Sequence, residues 1–339
     1  MPATVGPILT AVRPAWAVEH GRIDLEGTGF AVDEARLPVV RVGEVEARVV
    51  FASSKRLGVL VPPGTTGGPM PVTLEHMAGE PVVVDVGAKF ATGLHQVDNP
   101  VFDREGNLYV TYSGSRGQKA SVSIFRVRPN GNREAFVSGI INATSMALDP
   151  GGVLHVSSRF EGAVYRVSAD GSTEAVATDL GIACGLAFDR EGTLFVGDRS
   201  GTIFRVAADG RVSSFASLPS SVAAFHLAIG PDDCLYVTGP TLASYDAVYR
   251  IDHDGASAVV ATGFGRPQGL AFDGQGVLHV VEALAGSSGL YRLRSDGARE
   301  LVLSAPGLVG VAFDPVRGVV VASNETAYRL DVDVRGGEQ

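Results

Sequence analysis

The sequence predicts an all-β fold, in which a six-bladed β-propeller follows a small immunoglobulin-like β-sandwich. First, a phrase of two apolar strands joined by an Asp-x-x-Gly turn occurs six times, with small variations. Second, a strand with a central arginine follows each copy of that phrase. Third, the high contents of glycine (43 residues) and proline (18 residues) favour short strands and tight turns over helices.

The first phrase sets the period of the repeat, as in GLAFDREGTLFV from Gly185. Its anchor positions lie 40 to 46 residues apart, which fits propeller blades of four short strands. The six anchors are Asp103, Asp149, Asp189, Gly230, Asp273 and Asp314. Aspartate at the first position and glycine at the fourth are typical of a turn, so we interpret these aspartates as turn residues and not as a carboxylate array.

The second phrase carries an arginine at one fixed strand position. Because the arginine recurs in every copy, we expect structural hydrogen bonds within or between blades, not catalysis. These residues are Arg126, Arg166, Arg205, Arg250, Arg292 and Arg329. An Asn-Gly or Asp-Gly pair follows in five copies, and such pairs tolerate the positive φ that a two-residue hairpin needs.

The last copy lacks its own fourth strand, because only nine residues, DVDVRGGEQ, follow Leu330. The missing strand is predicted upstream, since Phe90 lies thirteen residues before Asp103, the same spacing as from Phe136 to Asp149. We therefore expect residues 88–92 to pair with the last repeat and to close a propeller domain of residues 88–335, which removes an exposed sheet edge.

Residues 1–87 lack the repeat and read as a separate all-β unit of short apolar runs divided by turn residues. The segments PILTAVRP, GRIDLEGTGF and LGVLVPPGTTGGPMPVTL resemble the TIG (IPT) immunoglobulin-like family. The matching positions are Pro14, Gly21, Leu25, Gly27, Gly29, Phe30, Val61, Pro62 and Gly64. The resemblance implies an interaction or spacer module without catalytic residues, coupled rigidly to the propeller.

The repeat phrases resemble NHL repeats and the related senescence-marker-protein/gluconolactonase propellers. The lactonase resemblance implies a divalent metal, held by residues five positions before the repeat aspartates. That register gives Asp98, which suits a metal, and then Thr144, Cys184 and Phe225, where the family has Asn or Asp. Because a hard cation needs several oxygen ligands, we expect no cofactor, with calcium at Asp98 as the alternative.

Functional residues are expected where the blades differ, on the face formed by the variable loops after the second and fourth strands of each blade. We predict no catalytic residue there and a ligand-binding surface that also includes Tyr112 and Arg116, with His95 and Gln96 nearby. The predicted ligand-binding residues are Asp98, Asn142, His226, Gln268, Arg159, Arg199, Tyr245 and Glu282. Asp98 is also the predicted metal ligand.

Charge and composition exclude some classes of partner. A net charge of −9 disfavours a nucleic acid, and no apolar run approaches the length of a membrane span. The two cysteines, Cys184 and Cys234, have no zinc-site spacing, and the first residues do not read as a signal peptide, so we expect a cytoplasmic protein.

Two functions remain open at this point. We favour a non-catalytic binding or interaction propeller that takes a small molecule or a protein on the loop face. The alternative is a metal-dependent hydrolase of lactones or related esters, which the lactonase resemblance implies. Metal analysis and chelator-sensitive turnover discriminate between the two functions.

Overall fold

A computed structural model describes residues 6–32, 37–284, 288–314 and 318–331. Within these ranges the regular elements are all β-strands, as the all-β prediction requires. None of the described segments forms an apolar helix of the length that spans a membrane. The predicted end of the propeller domain, residue 335, lies outside the described ranges.

The N-terminal segment forms a β unit with its own apolar core. Alternate residues of its third strand, such as Ile23 and Leu25, are buried in that core with Leu57 and Val59. Its strands are β1 (Ile8–Arg13), β2 (Trp16–Ala17), β3 (Arg22–Thr28), β4 (Val40–Val42), β5 (Val45–Ala52), β6 (Arg56–Leu60), β7 (Gly68–Leu74) and β8 (Val82–Val86). β1, β3, β6 and β5 are neighbours in one ladder, which continues through β4 and β7 to β8.

The repeats form small four-stranded sheets arranged as a β-propeller. After β9 (Ala88–Thr92), the first sheet holds β10 (Val101–Phe102), β11 (Leu108–Thr111), β12 (Ile124–Val127) and β13 (Arg133–Val137). The second holds β14 (Ala143–Leu148), β15 (Leu154–Ser158), β16 (Ala163–Val167) and β17 (Thr173–Ala177). The third holds β18 (Ala183–Phe188), β19 (Leu194–Asp198), β20 (Thr202–Val206) and β21 (Val212–Ser217). The fourth holds β22 (His226–Ile229), β23 (Leu235–Thr238), β24 (Asp246–Ile251) and β25 (Ser257–Phe264).

The fifth repeat is continuous with the N-terminal unit. Its strands β26 (Pro267–Phe272), β27 (Leu278–Glu282), β28 (Gly289–Leu293) and β29 (Arg299–Ser304) pair in order, and β29 then pairs with β2. Because β2 also pairs with β8, a twelve-stranded sheet results. The sixth repeat holds β30 (Leu308–Asp314), β31 (Gly318–Ser323) and β32 (Thr326–Leu330), and β9 pairs antiparallel with β32 as its fourth strand.

The first strands of successive repeats contact one another in a closed ring. The contacts run from β10 through β14, β18, β22, β26 and β30 and return to β10. Apolar cores join adjacent repeats, as where Ile124 and Val137 of the first repeat pack with Met146 and Val156 of the second. The ring is therefore held together by side chains between sheets that share no backbone ladder.

The repeat aspartates are turn residues, as predicted. Asp189 Oδ1 accepts hydrogen bonds from the backbone N–H groups of Glu191 and Thr193 at 3.0 and 2.8 Å, and Asp273 accepts the equivalent pair. The predicted two-residue hairpins are wrong. At Asn130 the ladder closes between Arg128 and Asn132, and only Gly131 has positive φ (85°), which is a three-residue loop with a glycine bulge.

The strand arginines act within their own repeats, which resolves the alternative left open by the sequence. Arg126 pairs with Glu134 at 2.5 Å, and Arg250 pairs with Asp232 at 2.7 Å. The guanidinium of Arg126 also lies over the ring of Phe136. These contacts brace neighbouring strands of one sheet, away from the loop face.

Close contacts fix the N-terminal unit against the fifth and sixth repeats. Val18 is buried in the core of those repeats, and its N–H donates to the Ser304 carbonyl at 3.0 Å. A side chain at Gly21 would lie 2.3 Å from the same carbonyl oxygen, so only glycine fits there. Glu19 accepts a hydrogen bond from the Tyr328 hydroxyl at 2.9 Å. The junction is thus closely packed, and polar groups across it are hydrogen-bonded. Gly87 is the single residue between β8 and β9.

Candidate functional site

A buried acid–histidine pair lies where the innermost strands begin at the loop face. His226 Nδ1 donates to Asp98 Oδ1 at 2.5 Å, and the Asn99 N–H donates to the same oxygen at 2.7 Å. Asp98 precedes β10 of the first repeat, whereas His226 begins β22 of the fourth, which is not its neighbour in the ring. The pair therefore bridges the centre of the ring, and both side chains are almost completely buried.

The next residue, Asn99, extends this bridge to the fifth and sixth repeats. Its Nδ2 donates to the Leu270 carbonyl at 2.8 Å, and its Oδ1 accepts from the Val311 N–H at 2.9 Å. Gly269 and Gly310 allow this approach, because a Cβ on Gly269 would lie 2.0 Å from Asn99 Oδ1. The segment before β10 thus packs across the ring and forms a floor beneath the loop face.

Four buried polar atoms of this floor have no hydrogen-bond partner among the described residues. They are Gln96 Oε1, Thr111 Oγ1, Ser113 Oγ and His226 Nε2. Two of the residues that carry them contact the segment before β10: Gln96 Nε2 donates to the Asp98 carbonyl at 2.8 Å, and the Ser113 N–H donates to the His95 carbonyl at 3.0 Å. Thr111 ends β11, two residues before Ser113. With Nδ1 donating to Asp98, Nε2 is the ring nitrogen left for another group. Buried polar atoms are almost always satisfied, so this cluster marks a place for further hydrogen-bonding groups.

Three arginines lie close together on the loop face beside the floor. Among the described residues, none of Arg116, Arg159 and Arg199 has an ion-pair partner. Burial has the largest effect on Arg159 and lowers its pKa; Cys184 opposes this with the next largest effect, and the charges of Arg116 and Arg199 lower the pKa further. Burial and the charge of Arg159 also lower the pKa of His95. The site therefore concentrates positive charge in a protein whose net charge is −9.

Two of the predicted ligand-binding residues have side chains that hydrogen-bond to loops. Asn142 Nδ2 donates to the Ser113 carbonyl at 2.7 Å, and its Oδ1 accepts from the Gly117 N–H at 2.7 Å. Glu282 is buried, and it accepts from Arg299 at 2.8 Å and from the Gly265 N–H at 3.1 Å. Burial raises the pKa of Glu282 despite these contacts.

The remaining predicted residues lie on the face or in the ring. Gln268 is almost buried at the fifth repeat's equivalent of the Asp98 position, and its carbonyl accepts from Thr238 Oγ1 at 2.6 Å. Tyr245 is 64% exposed in the loop after β23 and stands at the rim with Leu242, which is 94% exposed. Tyr112, also predicted, packs edge-on against His95 with ring centroids 5.9 Å apart.

Sequence reasoning missed Thr111 and Ser113 as site residues. Their signal is weak, because a polar residue at the end of a strand is ordinary. Their spacing of two places both side chains on one face of an extended segment, and the first repeat has a serine where the next two repeats have Arg159 and Arg199. A comparison of repeats at this single position would have drawn attention to Ser113.

The ring positions implied for a metal by the lactonase resemblance do not fit one. Thr144 Oγ1 donates to the Asn142 carbonyl at 2.8 Å, and Phe225 has no ligand atom in its side chain. Burial raises the pKa of the Cys184 thiol to about 12, so the sulfur is protonated. The described residues include no group of three or more His, Cys, Asp or Glu that could hold a metal ion. Asp98 alone does not make a calcium site.

Solved structures establish the fold. No protein-family model matches the sequence, and no curated protein matches it either. An auxiliary nutrient binding protein from Bacteroides thetaiotaomicron is 12% identical with a TM-score of 0.57, covering 95% of this chain and 97% of that protein. Its Bacteroides ovatus counterpart is 13% identical with a TM-score of 0.56, covering 95% and 97%. A gluconolactonase from Xanthomonas campestris is 17% identical with a TM-score of 0.59, covering 71% of this chain and 87% of that one. At such identities the likeness shows a β-propeller shared by binding proteins and lactonases.

Proposed function

We propose that this protein binds a small polar molecule on its loop face, above the Asp98–His226 pair, and does not transform it. The observation that carries the proposal is a set of four buried polar atoms without partners among the described residues: His226 Nε2 of that pair, Gln96 Oε1, Thr111 Oγ1 and Ser113 Oγ. Leaving a buried donor or acceptor unsatisfied costs about 1–3 kcal/mol, and a bound polar ligand recovers that cost. The variable loops around this floor supply the walls and the exposed side chains of the rim.

Both the nutrient binding proteins and the gluconolactonase share this fold, so the fold accommodates a binding role. We propose that residues 1–87 are a TIG/IPT immunoglobulin-like sandwich that acts as a spacer or interaction module. We also propose that the strands of residues 88–335 are a complete six-bladed propeller of the NHL type, the fifth blade being β26 to β29.

The alternative function is hydrolysis of a lactone or related ester, and one observation favours it. A histidine oriented by a buried carboxylate, with its second nitrogen unpartnered, is the arrangement of a general base. Two observations favour binding instead. Asp98 is the only suitable ligand at the positions that the lactonase resemblance implies for a metal, and Cys184, beside the pair, is a protonated thiol and not a nucleophile.

Calorimetric titration with D-glucose, D-gluconate and D-glucono-1,5-lactone at millimolar concentration tests the proposal. We expect at least one probe to bind without turnover. The double variant Thr111→Val/Ser113→Ala should weaken that binding about fivefold, the effect of losing one or two neutral hydrogen bonds. The control Ser123→Ala removes a buried hydroxyl of the same repeat that already bonds Ile140, and it should leave binding unchanged.

Lactone hydrolysis decides between the two functions. Turnover that is abolished by a chelator, together with stoichiometric metal in the purified protein, would establish the hydrolase and overturn the binding proposal. Failure of all three probes to bind the wild-type protein would also count against it. Unchanged binding by the Thr111→Val/Ser113→Ala variant would show that the ligand does not contact this floor.

A further inference from the structure

Adjacent repeats place two arginines at the same point of the loop face. Arg159 and Arg199 each stand ten residues after the repeat aspartate, directly after β15 and β19. The second and third repeats are neighbours in the ring, because β14 contacts β18. The shared register therefore sets the two arginines at equivalent points of neighbouring repeats, and the charges of Arg199 and of Arg116 in the first repeat's loop both act on Arg159.

This arrangement leaves like charges together without local compensation. Elsewhere the chain pairs its arginines readily, as in the contacts of Arg126 with Glu134 and of Arg299 with Glu282. On the loop face, none of the three guanidinium groups forms an ion pair with a carboxylate of the described residues. Arg159 is half-buried, whereas Arg116 and Arg199 are exposed, and like charges near a half-buried guanidinium cost free energy, so an anion that enters among them is bound favourably.

The floor beside these arginines independently indicates a ligand. Gln96 Oε1 and Ser113 Oγ have no hydrogen-bond partner in the part of the chain that the structure describes, and both side chains are fully buried. His95, which adjoins Gln96, contacts Tyr112 and is close enough to Arg159 for its pKa to respond to that charge. The cationic cluster and the unpartnered polar floor are therefore parts of one site.

We propose that the molecule bound here carries an oxyanion, a carboxylate or a phosphate, which Arg159 and Arg199 hold together and Arg116 approaches from the rim. The proposal rests on the proposed function, since it names the chemical class of that ligand. Guanidinium groups match planar carboxylate and tetrahedral phosphate oxygens through paired N–H donors. The hydroxyl or carbonyl groups of the same molecule then meet Gln96 and Ser113.

Titration calorimetry with inorganic phosphate, D-gluconate and D-glucose tests the oxyanion, with D-glucose as the neutral match to D-gluconate. We expect phosphate or D-gluconate to bind more tightly than D-glucose, and the stronger of the two identifies the anion. The variant Arg159→Gln/Arg199→Gln should weaken that binding at least about tenfold, because each lost contact is a charge-assisted hydrogen bond.

A matched control separates local contact from overall charge. Arg190 and Arg211 belong to the turns of the third repeat on the opposite face, where they pair with Asp233 and Asp209. The variant Arg190→Gln/Arg211→Gln changes the net charge by the same amount and should retain wild-type affinity. Equal losses in the two double variants would overturn the proposal, since binding would then follow the net charge alone.

The remaining outcomes distinguish this inference from the proposed function. If D-glucose binds as tightly as D-gluconate and the arginine variant retains that binding, the proposal that the ligand carries an oxyanion is wrong, whereas the proposed binding function stands. If neither anion binds, the oxyanion is also wrong. If phosphate binding depends on the arginines but not on Thr111 and Ser113, the oxyanion site stands and the floor is not its ligand surface.

Discussion

Replacing Ser113 by alanine should stabilise the protein while weakening its ligand binding. Ser113 is fully buried, and its hydroxyl has no hydrogen-bond partner among the described residues. The change deletes that oxygen but keeps the backbone contacts, in which the Ser113 N–H donates to His95 and its carbonyl accepts from Asn142. Because the hydroxyl contributes desolvation cost without a compensating bond, its loss favours the folded state.

The size of the effect follows from the state of the hydroxyl. An unsatisfied buried polar group costs about 1–3 kcal/mol, and the small space left by one oxygen returns part of that, so we expect a gain of about 1 kcal/mol. Ser123 of the same repeat is equally buried, but its Oγ donates to the Ile140 carbonyl and accepts from the Ile140 N–H, both at 3.0 Å. Ser123→Ala should therefore cost about 1–2 kcal/mol.

Thermal unfolding of the two variants in ligand-free buffer measures this difference. For 339 residues the unfolding entropy is about 0.7 kcal/mol/K, so 1 kcal/mol moves the midpoint by about 1.4 °C. We expect Ser113→Ala to unfold above the wild type and Ser123→Ala below it. A loss of stability in Ser113→Ala as large as in Ser123→Ala would show that the Ser113 hydroxyl is satisfied in the free protein, and it would remove the main support for a ligand at this floor.

Three further outcomes test the junction and the site. Gly21→Ala should cost about 1–3 kcal/mol in chemical denaturation, because its Cβ would meet the Ser304 carbonyl, whereas Gly274→Ala, with open space around it, should be neutral. The pKa of Glu19 is lowered. Burial alone would raise it, but hydrogen bonds from a lysine, a tyrosine and a backbone N–H together outweigh the effect of burial. The stability lost in Glu19→Gln should therefore be constant above about pH 5 and shrink as the pH falls through the lowered pKa. At pH 8 the native protein should not react with a thiol reagent, since both Cys184 and Cys234 are buried and burial raises the pKa of each thiol, that of Cys184 to about 12; rapid labelling would contradict this burial.

The scaffold is largely readable from the sequence because it depends on local chemistry that recurs. The turn role of Asp103 follows from the Asp-x-x-Gly spacing, and the structure confirms it through hydrogen bonds to Glu105 and Asn107. The thirteen-residue spacing from Phe90 placed the fourth strand of the last sheet at the start of the propeller, where β9 does pair with β32. The hairpin type was wrong because one glycine with positive φ suffices when the loop has three residues.

The site is harder to predict because its contacts join distant parts of the chain. Asp98 and His226 are 128 residues apart, and no local pattern indicates that the two meet across the ring. Nor does composition reveal whether a buried side chain is satisfied: Asn142 and Glu282 look like ligand residues in the sequence, but loop contacts already use them. Ser113, which looks unremarkable, is one of the described residues whose buried side-chain polar atom has no partner.

The asymmetry of the ring orients the proposed ligand. Ten residues after the repeat anchor, the first three repeats have Ser113, Arg159 and Arg199, and the next two have Pro240 and Ala283. The cations thus lie in one half of the loop face, whereas exposed Leu242 and Tyr245 lie in the loop of the fourth repeat. An oxyanion among the arginines directs the rest of the molecule over the His226 floor, toward this apolar rim. A ligand with an acidic end and a less polar end satisfies both halves, because neither half alone offers complementary contacts to a uniformly charged molecule.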